Sequence, residues 1–157
     1  KSIIIHIYYM NNVSNAQYYS FANFDLSNWP LVIVKCNELK HNDDFDYFLQ
    51  RLENLGKTKQ SYSVILDTRN ASNIGLSNAY SGIRHVKRIR SEDPQYLKNT
   101  ILIYNNSYLY YLLNIVLSIQ KPVCNFYTYK LINDDDINYK ELFALKDSDP
   151  EKFKLYS

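Results

Sequence analysis

Four short apolar runs, "LVIVKCN", "SYSVILD", "TILIYN" and "VCNFYTYKL", are held apart by three segments whose apolar residues recur at helical spacing. Strands that alternate with helices pair mainly in parallel through right-handed crossovers, which leaves few topologies open. The first three are short and bounded by polar or turn residues, as a strand buried on both faces requires, while "VCNFYTYKL" shows some alternation, typical of a sheet edge. Ahead of them, Gln17 to Leu39 reads as two strands around the turn "SNWP", with Pro30 at the start of the second, where no ladder donor is needed. The order is two strands, then helix and strand three times, then a closing helix.

The helical segments carry their own punctuation. In "HNDDFDYFLQRLENLG", Phe45, Phe48, Leu49, Leu52 and Leu55 fall on one face. Asn42 or Asp43 suits the N-cap, the acidic residues suit the positive end, and Gly56 suits C′. In the next helix, Leu76, Tyr80, Ile83 and Val86 mark the apolar face, Arg84, Lys87, Arg88 and Arg90 lie largely opposite, and Pro94 stands beyond the end. "NSYLYYLLNIVLSIQKP" is capped by Asn106 or Ser107 and is apolar nearly all round, so it is either deeply buried or shows a face to a partner. "NDDDINYKELFALK" reads as a last helix with "NDDD" as its first turn. No repeat or linker interrupts the order. The expected organisation is an N-terminal extension at 1–16, one domain at 17–146 and a polar tail at 147–157.

Most chemical classes lack their residues. A net charge of +2 gives no strong field, which makes nucleic acid a minor expectation. Glycine occurs only at 56, 75 and 82, and no phosphate-binding loop is present, so no nucleotide or other cofactor is expected. His6, His41 and His85 are scattered, and "NDDD" lacks the Gly and distal Glu of a calcium loop, so no metal is expected. There is no nucleophile elbow, and no pair of catalytic groups stands at a meaningful spacing, so the chain reads as a non-enzyme. Cys36 and Cys124 lie in strand-like runs and read as two buried thiols.

No run of 18 apolar residues is present, and "KSIIIHIYYM" lacks the length and cleavage site of a signal peptide. An intracellular, cytoplasmic protein is the expectation, an organelle or virion assembly being compatible with it. The chain does not open with Met, which fits a processed or trimmed product or a piece of a longer one. Its bias toward Tyr, Asn, Ile and Lys is what an AT-rich genome produces.

Two features remain as candidate sites. Asp67 ends a buried parallel strand, at the sheet edge where ligands usually bind. It is either a base or ligand-binding carboxylate, or an acceptor for backbone N–H groups of its own loop. Arg84, Lys87 and Arg88, with Arg90 and His85, form the densest positive patch. It is either a dock for an acidic partner or anionic headgroup, or the solvated face of an amphipathic helix.

The segments "FDLSNWPLVIVKCNEL", "FDYFLQRLENL", "YSVILDTRNAS", "TILIYNN" and "SYLYYLLNIVLSIQKP" together resemble the STAS-like domains, the superfamily of bacterial anti-sigma-factor antagonists, in its SpoIIAA-like subgroup. The resemblance runs from Tyr18 to Leu145. It implies an α/β fold with a four- or five-stranded mixed sheet and helices packed mainly on one face. It also implies a non-catalytic protein-interaction module. In regulated members a serine at the start of the helix after the Asp-ending strand is phosphorylated, and the complex breaks. Ser77 is the nearest counterpart here, in "GLSN" where the family reads Asp-Ser. The implied contact surface is Asp67, Thr68, Arg69, Asn73 and Ser77, with Arg84, Lys87 and Arg88 on the helix behind.

The expected partner is therefore another protein or a second copy, met through the exposed loop from Thr68 to Ser77 and the aromatic face around Tyr108, Tyr110 and Tyr111. A small-molecule or lipid-headgroup site at the same edge, anchored by Asp67 and Arg69, is one alternative, for which a pocket of several hundred Å³ would speak. A structural subunit of a large assembly is another.

Overall fold

The computed structural model describes residues 21–131 and 136–157. Within them the elements follow as β1 (Ala22–Asp25), β2 (Leu31–Cys36), α1 (Asn42–Gly56), β3 (Tyr62–Asp67), α2 (Leu76–Arg90), β4 (Leu97–Tyr104), α3 (Ser107–Ile119), β5 (Asn125–Lys130), α4 (Tyr139–Ser148), a 3-10 turn (Pro150–Lys152) and β6 (Lys154–Tyr156). The expected extension at 1–16, with His6, and most of the "NDDD" run lie outside the described residues.

The six strands form one sheet in sequence order, β1-β2-β3-β4-β5-β6. β2 to β5 are parallel, and β1 and β6 are added antiparallel at the two edges. The sheet is thus mixed, with six strands where four or five were expected. The sixth comes from the supposed polar tail and covers β5, which is therefore not the edge strand its alternation suggested; three residues are too short to show a periodic signal.

Because each crossover returns the chain to the next position in the sheet, α1, α2 and α3 stack on one face. Val32, Val34, Val64, Phe48, Leu49 and Leu112 form the core there. On the other face, Ile33, Ile65, Ile101 and Ile103 pack against Leu142 of α4, with Phe143, Leu145 and Phe153 around them. Three helices on one face and one on the other is the observed form of the one-sided packing. A cation–π contact of Arg51 on the Phe24 ring, 4.0 Å from its centroid, fastens α1 to the edge strand.

Several element ends differ from the sequence reading. α1 begins one residue earlier than its expected cap, with His41 at the N-cap and Asn42 already helical. Gly56 is the last helical residue and not a left-handed C′; the left-handed residue is Lys59, at φ 56°. α4 starts at Tyr139, where the Asn138 side chain accepts from the backbone N–H groups of Lys140 and Glu141, so Asp136 precedes the helix. Cys124 stands just before β5. Both cysteines are free thiols.

Candidate functional site

The carboxylate of Asp67 is already engaged from three directions. The Arg69 side chain donates to both of its oxygens, Nε to Oδ1 at 3.0 Å and a terminal nitrogen to Oδ2 at 2.9 Å. The backbone N–H of Arg69 closes an Asx turn onto Oδ1 at 3.2 Å. The Tyr139 hydroxyl donates to Oδ2 at 2.7 Å from α4, 72 residues away in sequence. Burial pushes the Asp67 carboxyl up, but the hydrogen bonds from Arg69 and Tyr139 outweigh it and hold the group below its ordinary value. Tyr139 is raised to about 12, burial first and its bond to Asp67 second. Lys35, on the strand beside Asp67, lies over the Tyr139 ring, 5.5 Å from its centroid. The cluster ties the end of β3 to α4 across the sheet edge.

The loop after Asp67 is only partly exposed. Thr68 is buried, its hydroxyl donating to the Ile103 carbonyl at 2.8 Å. Ala71 is also buried, while Asn70, Ser72, Leu76 and Ser77 face solvent. Asn73 adopts a left-handed φ of 61° and donates from its side chain to Glu38 at 2.9 Å. Ser77 is exposed in the first turn of α2, whose N-cap is Gly75. The structure thus places Ser77 and Asn73 on the surface, and Asp67, Arg69 and Thr68 inside the joint beneath it.

α2 is rotated from the expected face. Its buried residues are Asn78, Ala79 and His85, whereas Leu76 is 53% and Tyr80 62% exposed. Two polar groups occupy inward positions. Asn78 points inward, where its Oδ1 accepts from the Gly75 N–H at 2.9 Å, and His85 points inward to Glu53 of α1, Nδ1 to Oε1 at 3.0 Å. Burial lowers the His85 pKa more than Glu53 raises it, so a neutral imidazole donating to the carboxylate describes this pair better than an ion pair. The basic set divides accordingly. Arg88 is salt-bridged to Glu53, and Arg84 donates to Ser81 at 3.0 Å, both beside the acidic α1. Lys87 is exposed, and Arg90 bonds the Lys121 carbonyl at the end of α3.

α3 resolves the other open alternative: it shows a face. Only Leu109 and Leu112 are buried, and Tyr108, Tyr111 and Ile119 are exposed. Leu76, Tyr80 and Ile83 form one stripe along α2, and Tyr108, Tyr111, Ile115 and Ile119 another along its neighbour α3. Five of the six exposed large apolar side chains among the described residues lie on these two helices. Tyr110 does not join them. It stacks on Tyr104 at 4.7 Å and accepts from Lys154 at 2.8 Å and from Tyr156 at 3.0 Å. Those bonds, that of Lys154 first, lower the Tyr110 pKa. Lys154 and Tyr156 come from β6, so this network was invisible without the sixth strand.

Total charge hides how the charges are arranged. From Thr68 to Leu131 the chain has eight Lys and Arg (Arg69, Arg84, Lys87, Arg88, Arg90, Lys98, Lys121, Lys130) against Glu92 and Asp93. That stretch is +6, which leaves −4 for the remainder of a chain of net +2. A windowed count would have found this from sequence. α2 and α3 carry no carboxylate, and α1 beside them has Asp43, Asp44, Asp46 and Glu53.

Between the helical layer and the sheet lies an apolar cavity of about 220 Å³. Leu66 and Leu102, central on β3 and β4, border it and are only half-buried. The pocket lies under the helices, and neither Asp67 nor Arg69, the anchors of the alternative ligand site, lines it.

Among the described residues, no three His, Cys, Asp or Glu are grouped to hold a metal ion, and no helix is long and apolar enough to cross a membrane. Compared with known proteins, the chain matches no family model, no curated protein and no solved structure.

Proposed function

We propose that this chain is a non-catalytic protein-interaction module of STAS-like type, which docks an acidic, partly apolar surface of another protein on the outer side of α2 and α3. One observation carries the reading. The exposed apolar residues are concentrated on two neighbouring helices, neither of which has a carboxylate and one of which, α2, carries the cations Arg84, Lys87, Arg88 and Arg90. Aromatic anchors with a charged rim are the usual composition of such an interface. The sequential sheet, with α1 to α3 on one face, supports the STAS-like element of the proposal. The engaged state of Asp67 speaks against its use as a catalytic base or ligand anchor.

Ser77 stands at the margin of this surface, in the first turn of α2. A phosphate there would meet the positive end of the helix and add negative charge beside a surface that selects acidic partners. On this reading, phosphorylation repels the partner.

Affinity capture from the native source, read by mass spectrometry, tests both parts. Wild type is compared with Tyr80→Ala/Tyr111→Ala, with Lys87→Glu and with Ser77→Asp, each checked for native melting. The proposal expects one acidic partner held by wild type and weakened roughly tenfold or more by the aromatic pair, with smaller losses for the two charge variants. Partners retained equally by all three variants would sink the docking surface. A partner lost from the first two and kept by Ser77→Asp would remove only the switch.

A further inference from the structure

The cavity under α2 and α3 has a chemistry of its own. Its floor is the helix-facing side of the parallel strands, including Leu66 and Leu102, and its roof includes Ala79, Gly82 and Val116. No Asp, Glu, Lys or Arg lines it. The polar groups that do border it include Thr68, Asn78, His85 and Thr100, whose Oγ1 lies 3.5 Å from Cys124 Sγ. Thr68 donates to the Ile103 carbonyl at 2.8 Å, Asn78 Oδ1 accepts from Gly75 at 2.9 Å, and His85 is held by Glu53 at 3.0 Å. A ligand entering here meets a lining that is almost wholly hydrocarbon and has no free charge.

The titratable groups in the wall point the same way. Burial pushes the Cys36 thiol up to about 12 and raises Cys124, while burial lowers His85. All three stay uncharged near neutrality, although His85 is faced by Glu53 and Arg88 from behind. Size bounds the occupant. A cavity of about 150 Å³ lined by Leu, Ile and Phe stays dry and takes up benzene, so 220 Å³ has room for a molecule of about ten carbons.

We infer that this cavity is a binding site for a small, uncharged, largely hydrocarbon molecule of about ten carbon atoms. The site is separate from the docking surface, since it lies beneath α2 and α3 and the docking residues lie outside them. Gly82 is part of its construction: a Cβ there would meet only Val116 Cγ2, at 3.8 Å. A larger side chain at 82, or at Ala79, would project into the space.

Naphthalene is the probe, titrated into the full chain and followed by methyl NMR of Leu66, Leu102 and Val116. Saturable shifts of these methyls are expected, with a rise in melting temperature. Naphthalene-1-sulfonate, the same ring with a charge, is expected to bind at least about tenfold more weakly. Ala79→Leu and Gly82→Leu, which fill the space, are expected to weaken naphthalene by a similar factor. Absence of saturable shifts in the wild type would overturn the inference. So would equal binding of the sulfonate, or undiminished naphthalene binding in a folded filled variant. The two-probe comparison uses the wild-type chain and does not depend on either variant folding.

Discussion

The two faces of the sheet are built from the same strands and end in different states. Toward α4, Ile65, Ile101 and Ile103 are 0% exposed and closed in by a single helix and the C-terminal segment. Toward α1, α2 and α3, three helices cover the strands, yet Leu66 and Leu102 remain half-buried above a cavity. More covering elements have produced a looser face. The difference lies in what the helices spend their inward positions on. α2 turns Asn78 and His85 inward, and α3 leaves Tyr108, Tyr111 and Ile119 outside. The α4 face holds the fold together, and the helical face keeps apolar surface available for contact.

The contrast is broken most directly by truncating neighbours on one strand. Ile101 and Leu102 are adjacent on β4 and point to opposite faces. Ile101→Ala should cost roughly 3 to 4 kcal/mol, since it empties a fully packed site. Leu102→Ala should cost roughly 1 to 2 kcal/mol, because its side chain already borders open volume and has less transfer energy to lose. Urea unfolding of the two variants measures the gap. Equal losses would mean that the helical face is packed as tightly as the other.

Next in size is the joint between the faces. Asp67→Asn removes the charge that Arg69 and Tyr139 solvate, and should cost roughly 2 kcal/mol at neutral pH. The folded-state pKa of Asp67 lies below its ordinary 3.8. The stabilisation is therefore fully present above that value and fades as pH falls through the folded pKa. Wild type and variant should differ at pH 7 and converge below pH 3.8 in a series of unfolding curves. A gap that persists in acid would assign the effect to shape and not to charge.

The sequence made the alternation of strands and helices legible because both periods repeat over enough residues to be seen. The β2 to β5 core and α1 to α3 follow from those runs. What escaped is what depends on single residues or on distant pairs. Asp67 could be placed at a strand end, and its Asx turn foreseen, but the hydroxyl of Tyr139 arrives from 72 positions away with no local signal. The face of α2 was misjudged because hydrophobicity alone placed Leu76 and Tyr80 inside. Asn78, bonded to the Gly75 N–H, and His85, bonded to Glu53, take inward positions instead. β6 escaped because a three-residue strand has no period to read.

A smaller effect sharpens the comparison within the helical face. α3 opens on Asn106, whose side chain accepts from Tyr108 N at 2.8 Å, whereas α2 opens on Gly75, which has no side chain to offer. Asn106→Ala should cost about 1 kcal/mol, and Gly75→Ser should gain a few tenths, since Gly75 sits at φ −118° where any residue is at ease. Thermal melting of both variants checks the pair, and a loss at Gly75→Ser would show that the start of α2 depends on the absence of a side chain.

The smallest stability effect belongs to the residues with the largest proposed role. Tyr80 and Tyr111, 62% and 60% exposed, have little burial to lose, so Tyr80→Ser and Tyr111→Ser should each move stability by no more than about 0.5 kcal/mol. A core residue cannot combine a negligible folding cost with a large loss of binding, and a docking residue must. Measuring unfolding and partner capture on the same two variants therefore separates surface that serves the fold from surface that serves contact. A large destabilisation would return these tyrosines to the core of the helical layer. Unchanged stability with lost capture would place the interface on α2 and α3, outside the cavity and away from the Asp67 joint.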